Sequence, residues 1–144
     1  MLFLTTVLLV LFQLSQRLLA RTMLDHAAAC AARARAVGFN DYMCLKTARA
    51  AMIPVAGRRY LPEAAGEWEE AALIPHYLSA PDEAHALAVL DYERWHTTRF
   101  GITSGVGDFG RVRASLDMAT DDFDAEGRCE IESHYPLYMD YAGR

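Results

Sequence analysis

Ten of the first twelve residues are large and apolar, and no charge occurs from Met1 to Gln16. From Leu2 to about Val37 there is neither Gly nor Pro, and Ala27 to Ala36 is mostly Ala and Arg, both strong helix formers. The pattern predicts one long helix, apolar on every side at first and then polar and basic. Gly38 interrupts it, and Asn40 or Asp41 caps a restart running to about Ala51. Ile53 precedes Pro54 and is pushed out of the helical region, which ends that helix. Residues 54 to 67 contain Pro54, Gly57, Pro62 and Gly66 and read as a loop, with a helical turn over Glu67 to Ala72.

Ser79 is the expected cap of a second helix reaching about Arg99, with Ala84, Leu87, Ala88, Leu90 and Trp95 facing inward. Gly101, Gly105, Gly107 and Gly110 then suggest a flexible connection. Arg111 to Ala119 alternates, with Val112, Ala114, Leu116 and Met118 on one face. Asp121 to Gly127 reads as a turn. Arg128 to Tyr138 alternates again, with Cys129, Ile131, Ser133 and Tyr135 on one face. Two alternating runs around a turn predict an antiparallel hairpin. The expected fold is α+β: a long N-terminal hydrophobic helix, and a small head holding a second helix and a C-terminal hairpin packed back on the first helix. The expected organisation is a helical stalk over 1–53, apolar over 1–16 and Ala/Arg-rich over 17–53, followed by an acidic α+β head over 54–144.

Three readings of the apolar end compete. Sixteen helical residues rise about 24 Å, whereas a bilayer core is roughly 30 Å thick. Arg17 and Arg21 recover part of the difference by snorkelling. A signal-peptide core is disfavoured, because no basic residue precedes the stretch and Arg17 occupies the place of a small-residue cleavage site. A buried core helix is the second reading. The favoured one is the N-terminal segment of a membrane-anchored or filament-forming subunit. If Met1 is the true start, the usual basic leader is missing; if a leader has been removed, Met1 is the mature N-terminus. The expected assembly interface is Leu2, Phe3, Leu4, Val7, Leu8, Leu11, Phe12, Leu14 and Leu18, each Leu or Phe gaining roughly 1.5–3 kcal/mol on burial.

The net charge of −5 hides a segregation. Residues 1 to 60 hold eight Arg/Lys against two Asp, a net of +6, and residues 61 to 144 hold six Arg against 17 Asp/Glu, a net of −11. An acidic head argues against nucleic acid as a partner, and the basic stretch suits an anionic lipid surface as well as a solvated helix face. Cys30, Cys44 and Cys129 form no C-x-x-C, so zinc is not expected. Small buried hydrophobes are the expected role for all three, with one disulfide an option if the head is exported.

The catalytic signatures are weak. Gly105 to Gly110 matches G-x-G-x-x-G, but a dinucleotide site needs a strand before it and a helix after it, the reverse of the expected order. Asp122 to Gly127 resembles the start of a calcium loop, yet Ser133 falls where a bidentate Glu belongs; a solvated acidic turn is favoured. His85 and His96, with Asp91 and Glu93, are expected about one helix face but lack the i, i+4 pair of a zinc protease. Ser104 and Ser115 have no nucleophile-elbow context. The chain is expected to be no enzyme and to carry no cofactor or metal.

Several segments carry a resemblance: Gln13-Leu14-Ser15-Gln16, His26-Ala27-Ala28, Ala31-Ala32-Arg33-Ala34-Arg35, Val37-Gly38-Phe39-Asn40 and Ile53-Pro54-Val55-Ala56-Gly57, with a fainter echo in Leu90-Asp91-Tyr92-Glu93-Arg94-Trp95. Over about residues 10 to 58 the chain resembles the TadE-like family of pilus-assembly proteins. The resemblance implies a pilin-like or pseudopilin-like protein, cut by a prepilin peptidase, anchored in the membrane with an extracytoplasmic head, and then recruited into a type IV-type filament or its assembly machine. The implied partners are copies of itself or related pilins, and the inner-membrane assembly machinery. One departure stands out. Pilins carry Glu near the fifth mature position, whereas Thr5 occupies it here if Met1 is mature, and the first acidic residue is Asp25. Either the processed start lies upstream, or assembly proceeds without that charge, sparing the several kcal/mol that a buried unpaired carboxylate costs.

Overall fold

The computed structural model describes residues 1–60, 69–104, 111–119 and 124–132. Helix α1 spans Leu2–Ala36, 35 residues, and so runs about 52 Å. Its first half stands in solvent and its second half is the spine of the head. The buried positions start at Ala20 and are almost all alanine: Ala20, Leu24, Ala27, Ala28, Ala31, Ala32 and Ala34. Gly38, at φ 102°, turns the chain back. Helix α2 then spans Asp41–Ala51, with the Asn40 side chain accepting the Met43 N–H at 2.8 Å. A short 3₁₀ turn, Ile53–Val55, follows.

The C-terminal half of the head is a three-stranded antiparallel sheet, β3 (Thr98–Ser104), β4 (Arg111–Ala119) and β5 (Asp124–Glu132), in sequential order. Val112, Ala114, Leu116 and Met118 all point inward and are buried, as the alternation predicts. The expected hairpin is β4–β5, and it packs on α1. Across the centre of the sheet Phe100, Leu116 and Gly127 are in register. The inward side of β5 is small: Ala125, Gly127 and Cys129 precede Ile131. Small residues on the strand therefore meet alanines on the helix, and the two backbones come close. A Cβ on Gly127 would sit 2.3 Å from the Leu24 carbonyl carbon and 2.5 Å from the Asp25 nitrogen. The adjacent Arg128 N–H donates to Asp25 Oδ1 at 3.1 Å, which ties the strand to the helix at the same level.

The other elements cover the rest of the spine. Helix α3 spans Glu70–Ser79 and α4 Glu83–Val89, and the two-residue strands β1 (Arg59–Tyr60) and β2 (Asp91–Tyr92) pair antiparallel. One continuous core joins Ala20 through Met52 to Val55, Trp95 and Met118, with Ile53 partly buried against it.

Four expectations are corrected. Ser79 closes α3 rather than capping the next helix; the cap is Asp82, whose carboxylate accepts the His85 N–H at 2.9 Å. That helix ends at Val89 instead of near Arg99, and Ala84 and Ala88 are exposed while Ala86, Leu90 and Trp95 are buried. Tertiary pairing explains the early stop: the Glu93 and Arg94 N–H groups donate to Arg58 and Ala56 carbonyls, both at 3.0 Å, rather than continuing a helix. Gly101 lies within β3, and Asp124 to Gly127 lie within β5 rather than in a turn. Finally, the expected loop after Pro54 contains β1. Ser133 and Tyr135 fall outside the described residues.

Two outcomes follow from this packing. Gly127→Ala forces the sheet away from α1 and is expected to cost about 3 kcal/mol, whereas Gly101→Ala meets only the rotatable Ser115 hydroxyl, at 3.0 Å, and is expected to cost under about 1 kcal/mol; chemical denaturation of the full chain in detergent reads the difference. Burial pushes the Tyr77 hydroxyl up to about 12, partly offset by the Arg49 charge. The folded state therefore keeps a proton that the unfolded chain releases near 10, so Tyr77's contribution is intact below pH 10 and disappears between pH 10 and 12. Tyr77→Phe is expected to flatten the fall in Tm over that window.

Candidate membrane-inserting and assembly segment

Residues 1 to 19 are all exposed and make no part of the core. Eighteen residues from Leu2 to Leu19 form a bare rod of about 27 Å. Every predicted interface residue lies on it: Leu2, Phe3, Leu4, Val7, Leu8, Leu11, Phe12, Leu14 and Leu18 range from 42% exposed at Val7 to 86% at Leu2. Leu9, Val10 and Leu19 are equally bare and were not singled out from the sequence. Their positions supply the reason. Leu4, Val7, Leu11, Leu14 and Leu18 follow a 3–4 spacing down one side, but Leu2, Leu9 and Phe12 sit around from them. The rod is apolar through most of its circumference, and a single-stripe reading misses part of it.

Such a surface is far larger than the few hundred Å² of contiguous apolar patch that soluble monomers expose. It passes the length and composition test for crossing a bilayer: within Leu2–Ala36 an 18-residue window has a mean hydropathy of 1.7 with none of it buried. The chain thus carries a long apolar N-terminal helix consistent with a membrane anchor or a signal sequence.

Three hydroxyls, two on the rod and one just beyond it, are compatible with an apolar environment. Thr5 Oγ1 and Thr6 Oγ1 each donate to the Leu2 carbonyl at 2.8 Å, and Thr22 Oγ1 donates to the Leu18 carbonyl at 2.9 Å. A hydroxyl bonded to its own helix does not present an unsatisfied donor to lipid or to a packed neighbour. At Thr5 the side chain is short, neutral and internally satisfied. The apolar run ends at Arg17 and Arg21, one turn apart and both exposed.

The remaining candidates are dispersed. His85 Nδ1 lies 2.7 Å from Asp82 Oδ2, and His96 Nε2 lies 2.9 Å from Asp91 Oδ1. These are two separate surface pairs, because the helix that was expected to align them stops at Val89. Among the described residues no group of three His, Cys, Asp or Glu side chains is placed to hold a metal. Gly105 to Gly110 and Asp122–Phe123 fall outside the described residues. No disulfide joins the cysteines; Cys44 is buried, while Cys30 and Cys129 are half-buried. Cys30 Sγ lies 3.7 Å from His26 Nε2, a helix-surface contact.

Residues 55–57 and Arg94 are in contact. Arg94 Nη1 donates to the Val55 carbonyl at 3.0 Å, and Gly57, at φ +81°, packs directly on the Arg94 side chain. No protein family, characterised protein or solved structure matches the chain.

Deleting residues 2 to 19 removes no core contact. The remaining head is expected to be monodisperse without detergent and to keep its stability within about 0.5 kcal/mol of the full chain, as read by denaturation and sedimentation.

Proposed function

We propose that this chain is a membrane-anchored, pilin-like structural subunit that polymerises through its N-terminal helix. The observation that carries the reading is the division of α1. Residues 1 to 19 expose apolar side chains around the rod, while the same helix from Ala20 onward is the spine of a folded head. A rigid link between rod and head places the heads at a fixed distance from whatever buries the rods. Before assembly the rod sits in lipid with the head on the extracytoplasmic side. After assembly neighbouring rods bury one another, and the acidic, salt-bridged outer face of the sheet, with Glu130 between Arg111 and Arg113, coats the filament. The partners are copies of this chain or related subunits, with the assembly machinery at the membrane. No chemistry is assigned to the head: the chain acts as a structural protein.

Leu8, 62% exposed near the middle of the rod, is the site for the test. Leu8→Arg is expected to abolish filaments while leaving the head folded, since a charge in a packed apolar core costs several kcal/mol. Electron microscopy of material sheared from cells, with the intact mass of the chain, reads the outcome. Normal filaments containing the variant overturn the proposal. Wild-type chain that stays in detergent-extracted membranes and never enters a filament replaces it with an anchored accessory protein.

A further inference from the structure

The rod is not the same on every side. Thr6, Gln13, Ala20 and Ala27 stand seven residues apart, a spacing that drifts only about 20° per step around a helix, so they follow one line along α1. Ala20 and Ala27 are buried, at 1% and 0% exposure. From Ala20 onward this line therefore belongs to the side that the head covers, with Leu24 and Ala31 beside it. Before Ala20 the same side is bare and carries most of the rod's uncharged polar residues. Thr5 adjoins Thr6, and Gln16 stands three residues after Gln13 and four before Ala20. Leu2 and Leu9 fill the gaps between them. The wholly apolar stripe of Leu4, Val7, Leu11, Leu14 and Leu18 lies around the back, because Leu11 and Gln13, two residues apart, point in nearly opposite directions. Ser15 is the one uncharged polar residue of the rod off this side.

The threonines are satisfied by their own helix, through the Leu2 carbonyl. The glutamines are not. Both are exposed, and among the described residues neither side-chain amide has a hydrogen-bond partner. A glutamine amide carries two N–H donors and an acceptor oxygen, and neither hydrocarbon nor a wall of leucines answers them. Gln13 stands about 18 Å along the helix from Met1 and about 6 Å short of Arg17, so it lies inside the uncharged run. Whatever covers it there has to donate and accept at that height.

A second copy of this chain does both. Copies inserted the same way in one membrane hold identical residues at identical heights, and two primary amides are mutually complementary, each donating an N–H to the other's oxygen. Amides on neighbouring helices hydrogen-bond across the contact in lipid, and one polar residue in an apolar helix seam specifies register and oligomer state. We infer that, given the membrane insertion proposed above, two parallel copies pair in the bilayer before any filament forms, through the rod side that continues the head's buried side. Gln13 of one copy meets Gln13 of the other and sets the register, and Gln16 reinforces the pair one turn nearer the arginines. The Leu4–Leu18 stripe on the opposite side stays in contact with lipid.

The test uses the full chain in phosphatidylcholine vesicles, in two batches carrying a donor or an acceptor fluorophore, with energy transfer followed against the protein-to-lipid ratio. Gln13→Leu is expected to weaken pairing about five-fold or more. Gln13→Asn keeps a self-complementary amide and is expected to stay within about two-fold of wild type, as is Leu11→Ala on the opposite side. None of these side chains belongs to the core, so the head folds in every variant. Wild-type transfer no greater than random mixing overturns the inference. So does pairing that Gln13→Leu leaves unchanged or strengthens, or that Leu11→Ala abolishes. Filaments sheared from cells report separately on the proposed function: wild-type chain that forms filaments yet is monomeric in vesicles overturns the Gln13 pair alone, and chain that pairs through Gln13 without ever forming filaments supports the pair and removes the filament.

Discussion

The head depends on the close approach of β5 to α1. A sheet normally packs on a helix through large side chains, which keep the backbones well apart. Here α1, whose buried positions are almost all alanine, packs on a strand whose inward side begins Ala125, Gly127 and Cys129, and the backbones at Gly127 and Leu24–Asp25 come nearly into contact. Packing of this kind gains its stability from many short dispersion contacts rather than from large transfer terms. It tolerates little added volume. The Asp25 carboxylate that accepts the Arg128 N–H adds direction to the contact. Once β5 is seated, the register of β4 and β3 follows, and with it the burial of Leu116, Met118 and Phe100.

One helix therefore serves two surroundings. Below Ala20 its side chains are mostly long and apolar and find nothing among the described residues to cover them; above it the buried ones are mostly methyl groups, covered by the sheet and by α2. The change falls between Leu19, which is exposed, and Ala20, which is buried, about three residues after the uncharged run ends. The two arginines flank this change, so the polar boundary and the packing boundary coincide within a turn. A continuous helix with no glycine or proline across that junction transmits position without a hinge. This is the physical basis for treating the rod and the head as one mechanical unit.

The stalk and the fold class were legible because each rests on local information. Helix continuity from Leu2 to Ala36 needs only propensity and the absence of breakers, and the inward set of β4 needs only alternation. The Asn40 cap and the stop before Pro54 are likewise local chemistry. The errors cluster between residues 70 and 104, where short elements compete. Ser79 followed by Pro81 resembles a helix start, yet the Asp82 carboxylate is placed to take the His85 N–H and wins the cap. The segment from Asp91 to Trp95 has helix-forming residues, yet its N–H groups find Arg58 and Ala56 carbonyls from across the chain. No window of sequence contains both partners of those bonds.

The same reason divides what the sequence determined from what the tertiary structure decided. Composition and order alone set a long apolar helix, its arginine boundary, an α+β class and an alternating C-terminal hairpin, because each depends on neighbours within a few turns. Which residues of α1 lie bare and which lie buried depended on where β5 and α2 came to rest. So did the separation of His85 from His96, and the gathering of Tyr42, Lys46, Arg49, Tyr77 and Trp95 at one junction. Those residues are spread over more than fifty positions of the chain, and only the packing of α2 against α3, with Trp95 closing the gap, gives them a common environment.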